Sequence, residues 1–72
     1  MSSLYASIIR TSDDDILTEI QVAENYLDNV NRIQSSIGDT KIEEVHMCAI
    51  AETSEPTLQQ KDLAIKWIKR HL

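Results

Sequence analysis

Glu43-Glu44-Val45-His46 comes nearest to a metal-ligating pattern in this chain. On a helix, Glu-x-x-His sets a carboxylate and an imidazole on one face. Two such motifs with two further glutamates build di-iron centres in four-helix bundles. One copy is present here, so a centre of that kind would need a homodimer, with Glu19 or Glu24 as further ligands. A histidine tucked beside an apolar stripe and bonded to a local carboxylate is the simpler reading, and no metal ligand is assigned.

His46 and Cys48 are two residues apart, so on a helix they face different directions, and no oxyanion-type glycine turn accompanies them. Cys48 therefore reads as a small buried hydrophobe. One glycine in the whole chain, Gly38, excludes a P-loop or a dinucleotide fingerprint. Asp13-Asp14-Asp15 lacks the spaced ligands and central glycine of an EF-hand loop and reads as helix capping. Lys66, Lys69 and Arg70 form a basic stripe that suits a helix C-terminus, where the dipole favours cations. The expectation is a protein that is not an enzyme, with no catalytic residue and no cofactor.

The elements that would carry these residues read as helices. Thr11-Ser12-Asp13-Asp14-Asp15 makes a stacked cap. After it, Ile16, Ile20, Ala23, Leu27, Val30 and Ile37 recur at spacings of four and three, with Gln34 the one polar member, until Gly38 stops the pattern. This predicts one long helix over about 13–36. In heptad terms Ile16, Ala23, Val30 and Ile37 fall at d and Ile20, Leu27 and Gln34 at a, with Leu17, Tyr26 and Ile33 widening the arc. Flanking Glu19, Glu24 and Asn31 meet no Lys or Arg, so the helix reads as the spine of a globular bundle rather than a zipper.

Before it, Leu4 with Ile8 and Tyr5 with Ile9 suggest a short first helix. After it, Thr40-x-x-Glu43 suggests a capped third helix over 41–52. Val45, Met47, Ala49 and Ala51 also alternate as in a strand, but a single strand has no partner, so helix is preferred. A last helix starts at a cap on Ser54 or on Thr57, the latter completed by Gln60, and runs to about His71. The expected fold class is all-α: a single domain over 1–72, a bundle of three to four helices around one long central helix.

Length and composition bound the function. A 72-residue chain buries little apolar area, and with one cysteine it has no internal disulfide to add stability. Helix packing or association must supply the rest. No apolar run approaches 18 residues, so no membrane span is expected. The first ten residues lack a basic segment followed by a long apolar one, and with a free Cys48 the expected location is the cytoplasm. Net charge is −5, which argues against direct nucleic-acid binding. Residues 1–40 carry seven acids against Arg10 and Arg32, whereas residues 41–72 carry five acids and five bases.

The functional expectation is binding: a small acidic adaptor, inhibitor or regulatory subunit that meets a partner protein, or a second copy as a homodimer, through helix faces. On the last helix Leu58, Ala64, Ile65, Ile68 and Leu72 share a face, and Leu63 with Trp67 forms a second ridge. Leu63, Trp67 and Ile68 are the expected anchors, because tryptophan is enriched at interface hot spots. Asp14, Asp15, Glu19, Glu24 and Asp28 are the expected charged surface. The alternative is a phage- or plasmid-type antagonist of a DNA-binding protein, an anti-repressor or DNA mimic whose carboxylates along a rod imitate phosphates. A homo-oligomeric metal-binding bundle using Glu43 and His46 is the third reading.

Overall fold

The computed structural model describes residues 1–72 and overturns the all-α expectation. The chain is an α+β fold with strands β1 (Ser3–Thr11) and β2 (Ile16–Ala23), helix α1 (Tyr26–Ile37), strand β3 (Ile42–Glu52) and helix α2 (Leu58–His71). The strands form one antiparallel sheet in the order β2-β1-β3. There is no helical bundle and no coiled-coil-like spine over 13–36. The first half of that segment is a strand, and only its second half is a helix.

The physical reason lies in a shared periodicity. A spacing of four fits a helix turn, but it is also two strand repeats. Ile16 and Ile20 satisfy both. Between and after them stand Thr18 and Val22, so β-branched residues occupy every second position, which is a strand face. Leu4 and Ile8 in β1 carry the same ambiguity. Once β1 exists, the objection to a strand at 45–51 disappears, because β3 pairs along β1 from Ser3–Glu52 to Thr11–Ile42.

The acids read as a helix cap form a hairpin turn instead. The Asp14 N–H donates to the Thr11 carbonyl at 3.0 Å, and the Thr11 N–H donates to the Asp15 carbonyl at 3.0 Å. Asp14 has a φ of 63°, a left-handed conformation that aspartate tolerates better than most side chains. Helix capping and tight turns use the same short polar residues, for the same reason: their side chains bond nearby backbone groups.

Alternation along β1 sends its side chains to both sheet faces, and a helix covers each. On one side Leu4 and Ala6 pack with Ala64 and Ile68 of α2, joined by Ile8, Ile20, Val22, Ile50 and Trp67. On the other side Tyr5 meets Tyr26 of α1 edge-on, with ring centroids 5.4 Å apart. Ser7 accepts a hydrogen bond from Asn29 Nδ2 at 2.8 Å. The chain is thus three layers, α1, sheet and α2, with β1 as the buried middle strand.

The helix ends follow their capping residues. Asn25 caps α1 by accepting from the Asp28 N–H at 2.8 Å. Gly38 ends α1 with a φ of 69°. Gln34 donates to the carbonyls of Gly38 at 2.8 Å and Thr40 at 2.9 Å, so it ties the exit turn of α1. Of the two starts expected for the last helix, Thr57 is the one adopted, with a full capping box to Gln60.

Candidate functional site

α2 touches all three strands, and β3 is a free edge of the sheet. Between α2 and β3 the surface is concave. Cys48, Ala49 and Ile50 form the strand wall, Leu63 and Trp67 the helix wall, and Lys66 and Arg70 the rim of a cleft of about 270 Å³. The reason is local. The α2 residues that close the core, Ala64 and Ile68, leave their neighbours one position earlier, Leu63 and Trp67, turned toward the edge strand.

A β-bulge shapes the strand wall. Leu4 pairs with Ala51 and Tyr5 with Ala49, so Ile50 is an extra residue in β3. Ile50, two residues after Cys48, lies on the α2 side and packs against the core cluster. Leu63 remains 54 % exposed although it is a large aliphatic residue beside an apolar wall. Lys66 is held by Asp62 at 3.2 Å, whereas Arg70 has no ion-pair partner.

Trp67 is shared with a second group. His71 stacks on it at 4.4 Å, and His46 meets it edge-on at 5.1 Å. His71 Nδ1 lies 2.8 Å from the Trp67 carbonyl oxygen, which can only accept, so that nitrogen carries the proton. Beyond the imidazoles lies a smaller cleft of about 180 Å³, lined by Ile8, Arg10, Ile16, Glu44, His46 and His71. Its cation is already engaged, with Arg10 donating to Glu44 at 3.2 Å and 3.7 Å from Asp14.

The expected anchors therefore divide. Leu63 and Trp67 line the cleft together. Ile68 is 7 % exposed and packs with Leu4, Ala6 and Ala64, so it closes the chain's own core. Lys66 and Arg70 read in the sequence only as cations that suit a helix C-terminus, and the strand residues of the cleft that sequence reasoning missed are Cys48, Ala49 and Ile50. The alternation at 45–51 was their only signal, and it showed a strand but not its position at a sheet edge.

The five expected acidic residues do not form a rod. Asp14 and Asp15 sit at the β1–β2 turn, Glu19 lies midway along β2 opposite Ser7, and Glu24 and Asp28 flank the start of α1. Glu24 accepts from the Ser2 hydroxyl at 3.0 Å. Asp28 accepts from the Glu24 N–H at 2.9 Å and from Arg32 Nε at 3.0 Å. The backbone hydrogen bond from Glu24, reinforced by Arg32, holds the Asp28 carboxyl below the usual carboxylate range.

The Glu-x-x-His spacing also changes meaning on a strand. His46 pairs with Ile8 and Glu44 with Arg10, so Glu44 rather than Glu43 shares the His46 face, and Glu43 is the extra residue of a second bulge. No three His, Cys, Asp or Glu side chains converge as metal ligands. Cys48, opposite Ala6, falls on the same face as His46, whereas a helix would have turned the two apart. His46 is nevertheless engaged with Trp67 and His71.

No family model, no curated protein sequence and no solved structure matches this chain. No helix is long and apolar enough to cross a membrane.

Proposed function

We propose that this chain is a non-catalytic protein-interaction module, a small adaptor, inhibitor or regulatory subunit that binds a partner protein through the cleft between β3 and α2. Leu63 and Trp67 are its anchors, and Lys66 and Arg70 set its charge. The observation that carries this reading is the placement of two large apolar side chains of one helix against an edge strand, with Leu63 more than half exposed. Covering the exposed half of Leu63 and the smaller exposed part of Trp67 yields on the order of 1 kcal/mol each. That is enough for two such residues to dominate a small interface.

The other clefts fit this role less well. The one along α1, about 560 Å³, is lined by Gln21, Asp28, Asn31, Arg32, Ser35 and Ser36, with no apolar wall to favour desolvation. A reducing compartment such as the cytoplasm suits a free thiol, Cys48, set in a binding cleft.

Selection of binders from a displayed random-peptide library tests the proposal. The expected result is enrichment of peptides whose binding falls by about tenfold or more on Leu63→Ala or Trp67→Ala, with unchanged circular dichroism for Leu63→Ala, the position outside the core. Enriched peptides that bind both variants as tightly as the parent chain would show that the cleft is not the binding surface.

A further inference from the structure

We infer that the cleft takes an extended, acidic segment of its partner as a fourth strand on the open edge of β3. This inference rests on the proposed function and adds the form and chemistry of the ligand.

The first observation is the edge itself. β3 is paired on one side only, so alternate N–H and C=O groups along it face outward. The pairing with β1 is regular from Glu44 to Ala49, between the bulges at Glu43 and Ile50. This six-residue run carries neither lysine nor proline, and the two bulges of the edge lie at its ends rather than within it. A strand added there would lie about 4.8 Å from β3. Its α2-side residues would reach the Leu63–Trp67 wall.

Charge identifies the occupant. The chain as a whole is acidic, yet the cleft rim is cationic, with Lys66 only partly offset by Asp62 and Arg70 unpaired. A strand presents every second residue to one face. The matching segment therefore carries a large apolar residue for the Leu63–Trp67 wall and acidic residues two positions away for the rim. An extended ligand can bond the outward backbone groups of β3, which a helical ligand cannot do. A second copy of this chain fits worse. The residues two positions from Met47, the large apolar residue at the middle of β3, are Val45 and Ala49, so a second β3 would bring no carboxylate to the cationic rim beside it.

Titration of the ¹⁵N-labelled full chain tests the inference. The probe is a short peptide of threonine and valine with a central leucine and glutamate two positions to either side. Its controls are the same peptide with lysine for glutamate, and two forms N-methylated on alternate residues in opposite phase. The amides of Glu44–Ala49 and the Trp67 indole are expected to shift together. The lysine peptide should bind about five- to tenfold more weakly. One N-methylation phase should abolish binding while the other leaves it within about twofold, since only one edge of the added strand pairs with β3. Leu63→Ala, at a half-exposed position outside the core, should weaken binding without altering the fold.

Shifts at Leu63 and Trp67 with unmoved β3 amides would overturn the edge-strand inference and leave the cleft as a binding surface. Equal affinity for the two charge forms would overturn the acidic preference. An absence of shifts at both elements would overturn the whole inference, and the library selection would then decide the proposed function by itself.

Discussion

Asn29 shows how one residue can fix a layer. It is wholly buried between α1 and the sheet, and its side chain is fully used. Nδ2 donates to Ser7 Oγ at 2.8 Å and to the Met47 sulfur at 3.4 Å, while Oδ1 accepts from Gln21 Nε2 at 2.8 Å. One asparagine thus ties α1 to all three strands. Such a network is specific because an unpaired buried polar group is costly. Asn29→Ala should lower the unfolding free energy by about 1–3 kcal/mol, measured by urea denaturation, because Ser7 and Gln21 lose their shared partner. A change within a few tenths of a kcal/mol would mean that water replaces the amide. Nothing in the sequence marked Asn29 as buried, since asparagine is mostly a surface residue. Leu63 and Trp67 were legible, because their spacing and bulk sit on a helix that the capping box had already announced.

Legibility at the scale of elements followed the uniqueness of the local signal. Thr57 with Gln60 and the Gly38 stop bound helices where they pointed, whereas the same kind of cap at Thr40-x-x-Glu43 precedes strand β3, so a cap is informative only where no strand partner competes for the residues that follow it. The segments misread as helix all had apolar spacings of four, which strands also satisfy. Long-range pairing decided between the two, and β1 and β2 register along Ser3–Ala23 to Arg10–Ile16 only when the Asp13–Asp14 turn brings them together. The α2 cap also bears on function, because it starts the helix that presents Leu63 and Trp67. Thr57→Ala removes the acceptor for the Gln60 N–H at 3.2 Å and should cost about 1 kcal/mol, visible as a lowered thermal midpoint with native far-ultraviolet circular dichroism at room temperature. An unchanged midpoint would show that tertiary packing alone sets the start of α2.

At the scale of the molecule, the dimensions are close to those of a compact single domain of this length. The radius of gyration is 11.8 Å, against about 11 Å for a compact domain of this length. The accessible surface is 4757 Å², against about 4,500 Å² for a monomer of this mass. Eight apolar residues are buried, and both helices contribute to covering the middle strand. The proposed function takes this core as closed within one chain, with the β3–α2 cleft open to a partner. Sedimentation equilibrium of the purified chain over a range of micromolar concentrations, with circular dichroism on the same samples, tests this central claim most directly. The account predicts a folded monomer of 8.2 kDa, with a mixed helix and strand spectrum that does not change with concentration. A dimer that dissociates on Leu63→Ala or Trp67→Ala would contradict it, because the cleft would then be filled by a second copy of the same chain.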